Sequence, residues 1–177
     1  MPASNPGKEK SFKVAKIYGG NEHFWKFSEA ASQSFKAGAV LVMSSGLVAE
    51  GSADPTSIVG IAAHDAVGTA NSDVLVVPAL PGVVFRGVLG GSTNPHTLAQ
   101  SDVGKVYGIF KAASGAWLVD ADDSAVANVR VRIVSLVDAV GTSDGEVLFH
   151  FLTYTQDTDS GDDAVPVTIW GGYAATT

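Results

Sequence analysis

The side chains in this sequence that could do chemistry are few and scattered. Four histidines, His23, His64, His96 and His150, show no H-x-x-x-H or H-E-x-x-H spacing that would set two imidazoles on one metal ion. There is no cysteine, which removes thiolate nucleophiles, disulfides and Cys-ligated zinc together. His64-Asp65 has the composition of an acid/base dyad. Neighbours on a strand point to opposite faces, so the pair reads as a polar strand end leading into the loop from Ala66 to Ser72. Asp157, Asp159, Asp162 and Asp163 have the look of a calcium loop but lack the Asp/Asn-Gly step and terminal Glu of an EF-hand, and read as a solvated acidic turn. No G-x-x-x-x-G-K-[ST] and no glycine pair at G-x-G spacing is present to cradle a phosphate. No residue is nominated as catalytic, cofactor-binding or metal-ligating, no cofactor is expected, and a binding role is expected over an enzymatic one.

The residues left to carry a function are apolar and lie near the start of the chain. Ser11 to Tyr18 alternates, with Phe12, Val14, Lys16 and Tyr18 on one side and Lys13, Ala15 and Ile17 on the other. This spells an edge strand able to pair with another chain. Phe24, Trp25 and Phe27 follow Gly19-Gly20 in a Lys-bearing segment outside the main strand array. Such aromatics suit an interface, or equally a cap on the barrel of their own subunit. Phe12, Val14, Tyr18, Phe24, Trp25 and Phe27 are thus the candidate partner-binding residues. Before them, Met1 to Lys10 holds too little apolar surface to offset its ordering entropy and is expected to order only on a partner.

The elements that position these residues are strands. Phe35 to Ala66 reads as three in succession: Ala39 to Met43, a reversal at Ser44-Ser45-Gly46, Leu47 to Ala49, a break from Glu50 to Pro55, and Ile58 to Ala63. Val74–Val77 and Val83–Leu89 are two more, joined through Pro78 and Pro81-Gly82. Gly104 to Phe110 and Ala116 to Val119 form a hairpin about Ser114-Gly115. Asn128 to Val137 alternates with Val129, Val131 and Ile133 inward and Arg130 and Arg132 outward, and Glu146 to Tyr154 follows. Asn94-Pro95 offers an N-cap and a first-turn proline for one short helix near residues 95–102. The fold class is therefore all-β, a compact barrel or sandwich of short antiparallel strands. The expected division is an N-terminal arm with an edge strand over 1–34, a β-barrel core over 35–156, and an acidic turn, short strand and tail over 157–177.

Charge narrows the partners. The net charge of −7 is uneven: Met1 to Lys36 carries six Lys against three Glu, and the remainder is strongly acidic. An acidic body repels phosphate backbones, so no direct nucleic-acid binding is expected. No apolar run approaches the length of a membrane helix and the N-terminus lacks a signal-peptide core, so a soluble, non-exported protein without membrane contact is expected.

Two stretches, FKAGAVLVMSSGLVAEGSADPTSIVGIAAHDA and DVGKVYGIFKAASGAWLVDADDSAVANVRVRIVSLVDAVGTSDGEVLFHFL, resemble in order and composition the decoration (cement) proteins of tailed-phage heads. The likeness spans roughly Phe35 to Leu152. The resemblance implies a virion protein on the outer surface of the capsid, bound to the major capsid protein and self-associated, usually as a trimer, that stabilises the shell against DNA pressure. It further implies docking by an N-terminal arm. A β-rich binding module of a phage tail or baseplate has the same composition and stays as the alternative, and a β-barrel hydrolase would need a convergent polar pocket for which the sequence offers no obvious source.

Overall fold

Ser45 and Gly46 both sit at positive φ (50° and 81°), so the chain reverses in two residues and Ser44 pairs directly with Leu47. A loop with both central residues left-handed matches the twist of the strands it joins. That hairpin lies within an all-β architecture seen in a computed structural model, which describes residues 11–17, 24–125 and 127–152. Among the described residues there are eleven strands: β1 (Lys13–Ile17), β2 (Trp25–Ser28), β3 (Val40–Ser44), β4 (Leu47–Glu50), β5 (Gly60–Ala62), β6 (Asp73–Pro78), β7 (Val83–Gly90), β8 (Val106–Lys111), β9 (Trp117–Asp120), β10 (Val131–Leu136) and β11 (Glu146–Phe151).

They form two sheets. The first, in the order β1-β7-β11-β10-β8-β9, closes into a five-stranded barrel because the end of β7 also pairs parallel with β9, Leu89 opposite Val119. The second, β2-β6-β5-β3-β4, curls until one parallel bridge between Glu29 and Val48 joins its two edges. Closure of the five strands removes edges that an open sheet would expose; β1 stands outside it and pairs only with β7 among the described residues. The prolines behave as their chemistry requires: Pro78 ends β6, and Pro81-Gly82 turns the chain into β7.

Polar side chains tie the two sheets together. Glu50 on β4 accepts from the Trp117 indole (3.0 Å) and from Lys111 (2.7 Å), both on the barrel. The Asp54 carboxylate accepts the Ile109 amide (2.6 Å). Arg130, expected to point outward, is instead 3% exposed. Its Nε donates to the Pro55 carbonyl (2.7 Å), Nη2 to Asp54 (2.7 Å) and Nη1 to Ala127 and Val129 (2.9 Å each). Residue 130 precedes β10, so the strand's alternation does not govern it, and the guanidinium is used to hold the loop after β4. Buried Glu29 works in the same way, accepting the Val67 and Gly68 amides at 2.9 and 2.7 Å.

The division at residue 34 does not survive. β1 pairs antiparallel with β7 and β2 with β6, so the segment expected to be an arm supplies one strand to each sheet. Phe12 is 1% exposed, with its ring edge-on to Phe149 at 4.8 Å. Gly87 makes room for it, since a Cβ there would stand 2.6 Å from the Phe12 ring. The simple alternation of Ser11 to Tyr18 also fails, because a bulge between Val14 and Lys16 shifts the register. Val14 and Ile17 pack on the core while Lys16 is exposed.

The short helix expected near 95–102 is formed as a single 3-10 turn, Gln100–Asp102, which starts after Ala99 rather than at Asn94-Pro95. The earlier start lost to loop carboxylates that capture the backbone: Asp122 accepts the Thr93 and Asn94 amides, and Asp144 accepts that of His96 (2.9 Å). The Met1–Lys10 arm, Tyr18, His23 and the acidic turn, strand and tail over 157–177 lie outside the described residues.

Candidate partner-binding surface

The six candidate residues divide between core and surface. Phe12 and Val14 belong to the barrel, where Phe12 joins Phe85, Phe149 and Phe151 in a cluster of edge-to-face and stacked rings. Phe12 is thus a core residue and is corrected as a partner contact. Trp25 and Phe27 stand one strand step apart on β2, their rings 6.2 Å apart and half-buried. They belong to the second sheet, not to a segment outside the strand array. Phe24 alone is substantially exposed, at 46%. Tyr18 lies outside the described residues.

Between the start of β1 and the second sheet runs an apolar groove of about 430 Å³. Phe12, Val14 and Phe24 line it, with Lys13 on β1 and with Ile61 and Val77, which are cross-strand partners on β5 and β6. Leu75, 40% exposed, lies two residues before Val77 on the same face, opposite Lys26 of β2. Phe24, the groove and Leu75 thus share one face as an apolar strip, bordered by Lys26 opposite Leu75. Lys26–Asp73 (2.6 Å) and Lys36–Asp65 (2.9 Å) flank it as exposed ion pairs that solvent and salt screen. The Lys36 ammonium and the Ala37 amide hold the Asp65 carboxyl below its usual range. The strip was not legible in the sequence, because the run from Val74 to Val77 is apolar throughout and gives no sign of which faces are covered.

The His64-Asp65 pair is taken apart by the fold. His64 Nε2 accepts the Leu75 amide (3.0 Å), and its Nδ1 therefore carries the proton shared with the Asp65 carbonyl (2.8 Å). The Asp65 carboxylate meanwhile turns to Lys36 and Ala37. A second grouping went unnoticed in the sequence. His96 Nε2 meets the buried Asp102 carboxylate at 2.9 Å, and Tyr107 donates its hydroxyl to the same carboxylate at 3.0 Å. Gly141-Thr142-Ser143-Asp144-Gly145 nearby spells G-x-S-x-G. This is no nucleophile elbow, which needs a strand, a sharp turn and a helix; here the motif joins β10 to β11. Ser143 is bridged to Thr97, which sets His96 opposite Asp144, so the hydroxyl and the imidazole are directed to opposite faces. Among the described residues no three His, Cys, Asp or Glu groups gather as a metal site.

Burial works to raise the Asp102 carboxyl, but the His96 bond, the Ala99 amide and the Tyr107 hydroxyl together hold it below its ordinary value. Burial, helped by the Arg132 charge opposite, lowers His150. Both signs run the same way. A histidine lowered in the folded state loses stability as pH falls through its unfolded value near 6.5, and a lowered carboxylate loses it as pH falls below about 4. The unfolding free energy is expected to decline from pH 7 to 5 and again below pH 4. His150→Gln flattens the first limb only, as urea titrations across pH would show.

No family model matches the chain, and no curated protein matches it.

Proposed function

We propose that this protein is a decoration (cement) protein of a tailed-phage head. In this reading it sits on the outer surface of the shell, bound to the major capsid protein and self-associated as a homotrimer, and stabilises the shell by binding, without a chemical step. The observation that carries the reading is the apolar strip of Phe24, the groove and Leu75, flanked by two exposed ion pairs. Exposed aromatic and aliphatic side chains gathered on a closed β-scaffold are the means of an interface. The resemblance over Phe35 to Leu152 supplies the kind of partner. The buried polar groups also support a structural role: Glu29 and Arg130 are engaged in holding loops.

Three copies engaging one shell position would turn later contacts into intramolecular events, so modest single contacts suffice. The test heats bare heads, decorated heads and heads decorated with Phe24→Ala/Leu75→Ser protein, and follows DNA release. Decorated heads are expected to release at a higher temperature than bare ones. The double variant, altered only at exposed positions, is expected to bind heads at least about 10-fold more weakly, as for loss of an aromatic anchor. Equal release temperatures for bare and decorated heads would overturn the cement role. A monomer by native mass spectrometry, both free and on heads, would overturn the trimer.

A further inference from the structure

We propose that the outer face of the first sheet is where one copy of this chain receives the acidic flank of the next, which rests on the homotrimer reading and gives the contact between copies a surface of its own. Phe85, Val147 and Phe149 point into the barrel, so their neighbours Arg86, Leu148 and His150 point out. The registers set the rest of that face. Lys13 of β1 stands opposite Arg86, Arg86 opposite Leu148, and Leu148 opposite Ser135 of β10. One step along, Lys16 is opposite Val84 and Arg132 opposite His150. Lys13, Lys16, Arg86 and Arg132 are all exposed. The only carboxylate carried by β1, β7, β10 and β11 is Glu146, which pairs with Arg86. Half-buried Leu148 and Val134, 40% exposed, add apolar area to the face.

A cationic sheet face on a chain of net charge −7 calls for an acidic occupant, and the chain itself carries one. Asp54 and Asp123 cover β8 at Gly108, where a Cβ would stand 2.5 Å from the Asp54 carboxylate and 3.3 Å from the Asp123 side chain. Burial raises the Asp54 carboxyl against the pull of the Ile109 amide, and the Asp123 and Asp120 charges raise it further, so these acids crowd one another. Asp122 in the same loop is exposed, and the Thr93 and Asn94 amides hold its carboxyl below the ordinary range. β10 and β11 separate β8 from β7, so this flank does not reach Arg86, Lys13 and Lys16 of its own barrel. The match is made between copies. Two unlike patches meeting form a heterologous contact, which closes into a ring when repeated, as a trimer requires. Arginine beside apolar side chains suits the centre of such a contact, and the opposed charges steer the encounter and fix its register.

Sedimentation equilibrium of the full chain reads the association. Lys13→Glu/Lys16→Glu reverses part of the face, and Ser124→Lys/Ala125→Lys adds cations at exposed positions beside Asp122 and Asp123. Each double variant is expected to associate at least about 10-fold more weakly at low salt, and the four changes combined to return within about threefold of the wild type. Raising salt from about 0.05 to 0.5 M should weaken the wild type. Zero-length carbodiimide coupling of mixed light and heavy wild-type protein, read by mass spectrometry, is expected to join Lys13 or Lys16 of one copy to an aspartate between 120 and 123 of another. Wild-type association in both double variants, or no recovery on combining them, would overturn the proposal and leave the homotrimer standing. Unchanged association with lost head binding would overturn it by giving the face to the shell. A wild-type monomer at every concentration would overturn the homotrimer and the proposal together.

Discussion

Replacing Phe12 with alanine is expected to cost about 3–5 kcal/mol of folding free energy, the range for deleting a buried aromatic ring. For a chain of this size that lowers Tm by roughly 10 °C. Phe12 is the residue by which β1 is anchored: its ring lies against Phe149 and Phe151, over a strand position, Gly87, that has no side chain to displace it. Deletion of Met1 to Lys26, which a detachable arm would tolerate, is expected to leave no stable domain. It removes β1 from the first sheet and the first half of β2 from the second. Urea titration of Phe12→Ala and circular dichroism of the truncated chain check the pair. A cooperative, wild-type-like unfolding transition in the truncated chain would show that the first strands are dispensable.

Arg130→Ala is expected to be as damaging, at about 3–5 kcal/mol, because it strands carbonyls in a buried place. The guanidinium supplies four donor contacts to Asp54, Pro55, Ala127 and Val129, two of them reaching the loop that follows β4. Lysine cannot substitute for it. An ammonium radiates its donors from one point, whereas the arginine fork delivers them in a plane from three nitrogens. Arg130→Lys is therefore expected to recover less than half of the loss. A local readout separates this role from general packing: amide exchange at Ile109, whose N–H is held by the Asp54 carboxylate, should rise in Arg130→Ala beyond the rise elsewhere in β8. An unchanged denaturation midpoint in Arg130→Ala would contradict the assignment.

Much of the strand content was legible because it rests on local chemistry. Ser45-Gly46, the prolines at 78 and 81, and Ser114-Gly115 each force a turn wherever they stand, and β3, β4, β6, β7, β8 and β9 lie between them as expected. What was not legible depends on partners distant in the chain. The alternation of β1 is visible, but its neighbour is Val83–Arg86, and the bulge that turns Lys16 outward has no local signature. Asn94-Pro95 is a sound helix start in isolation; the carboxylates of Asp122 and Asp144 that claim the surrounding amides come from two other loops. The groove was hidden for a related reason. It forms where one sheet meets the start of the terminal strand of the other, and neither run of residues reveals that meeting.

The threading of the two sheets has a consequence for synthesis on the ribosome. β2 to β6 run consecutively from Trp25 to Pro78, so the second sheet can close as soon as that length has emerged. β7 is the hub of the other barrel. It binds β1 from the beginning of the chain, β9 from its middle and β11 from the end of the described residues. At about 5–20 residues per second, the stretch between β6 and β11 takes several seconds to appear, and for that time β1 has been made but its barrel cannot close. The nascent chain thus carries a finished half and a waiting strand, with Phe12 uncovered until Phe149 and Phe151 arrive.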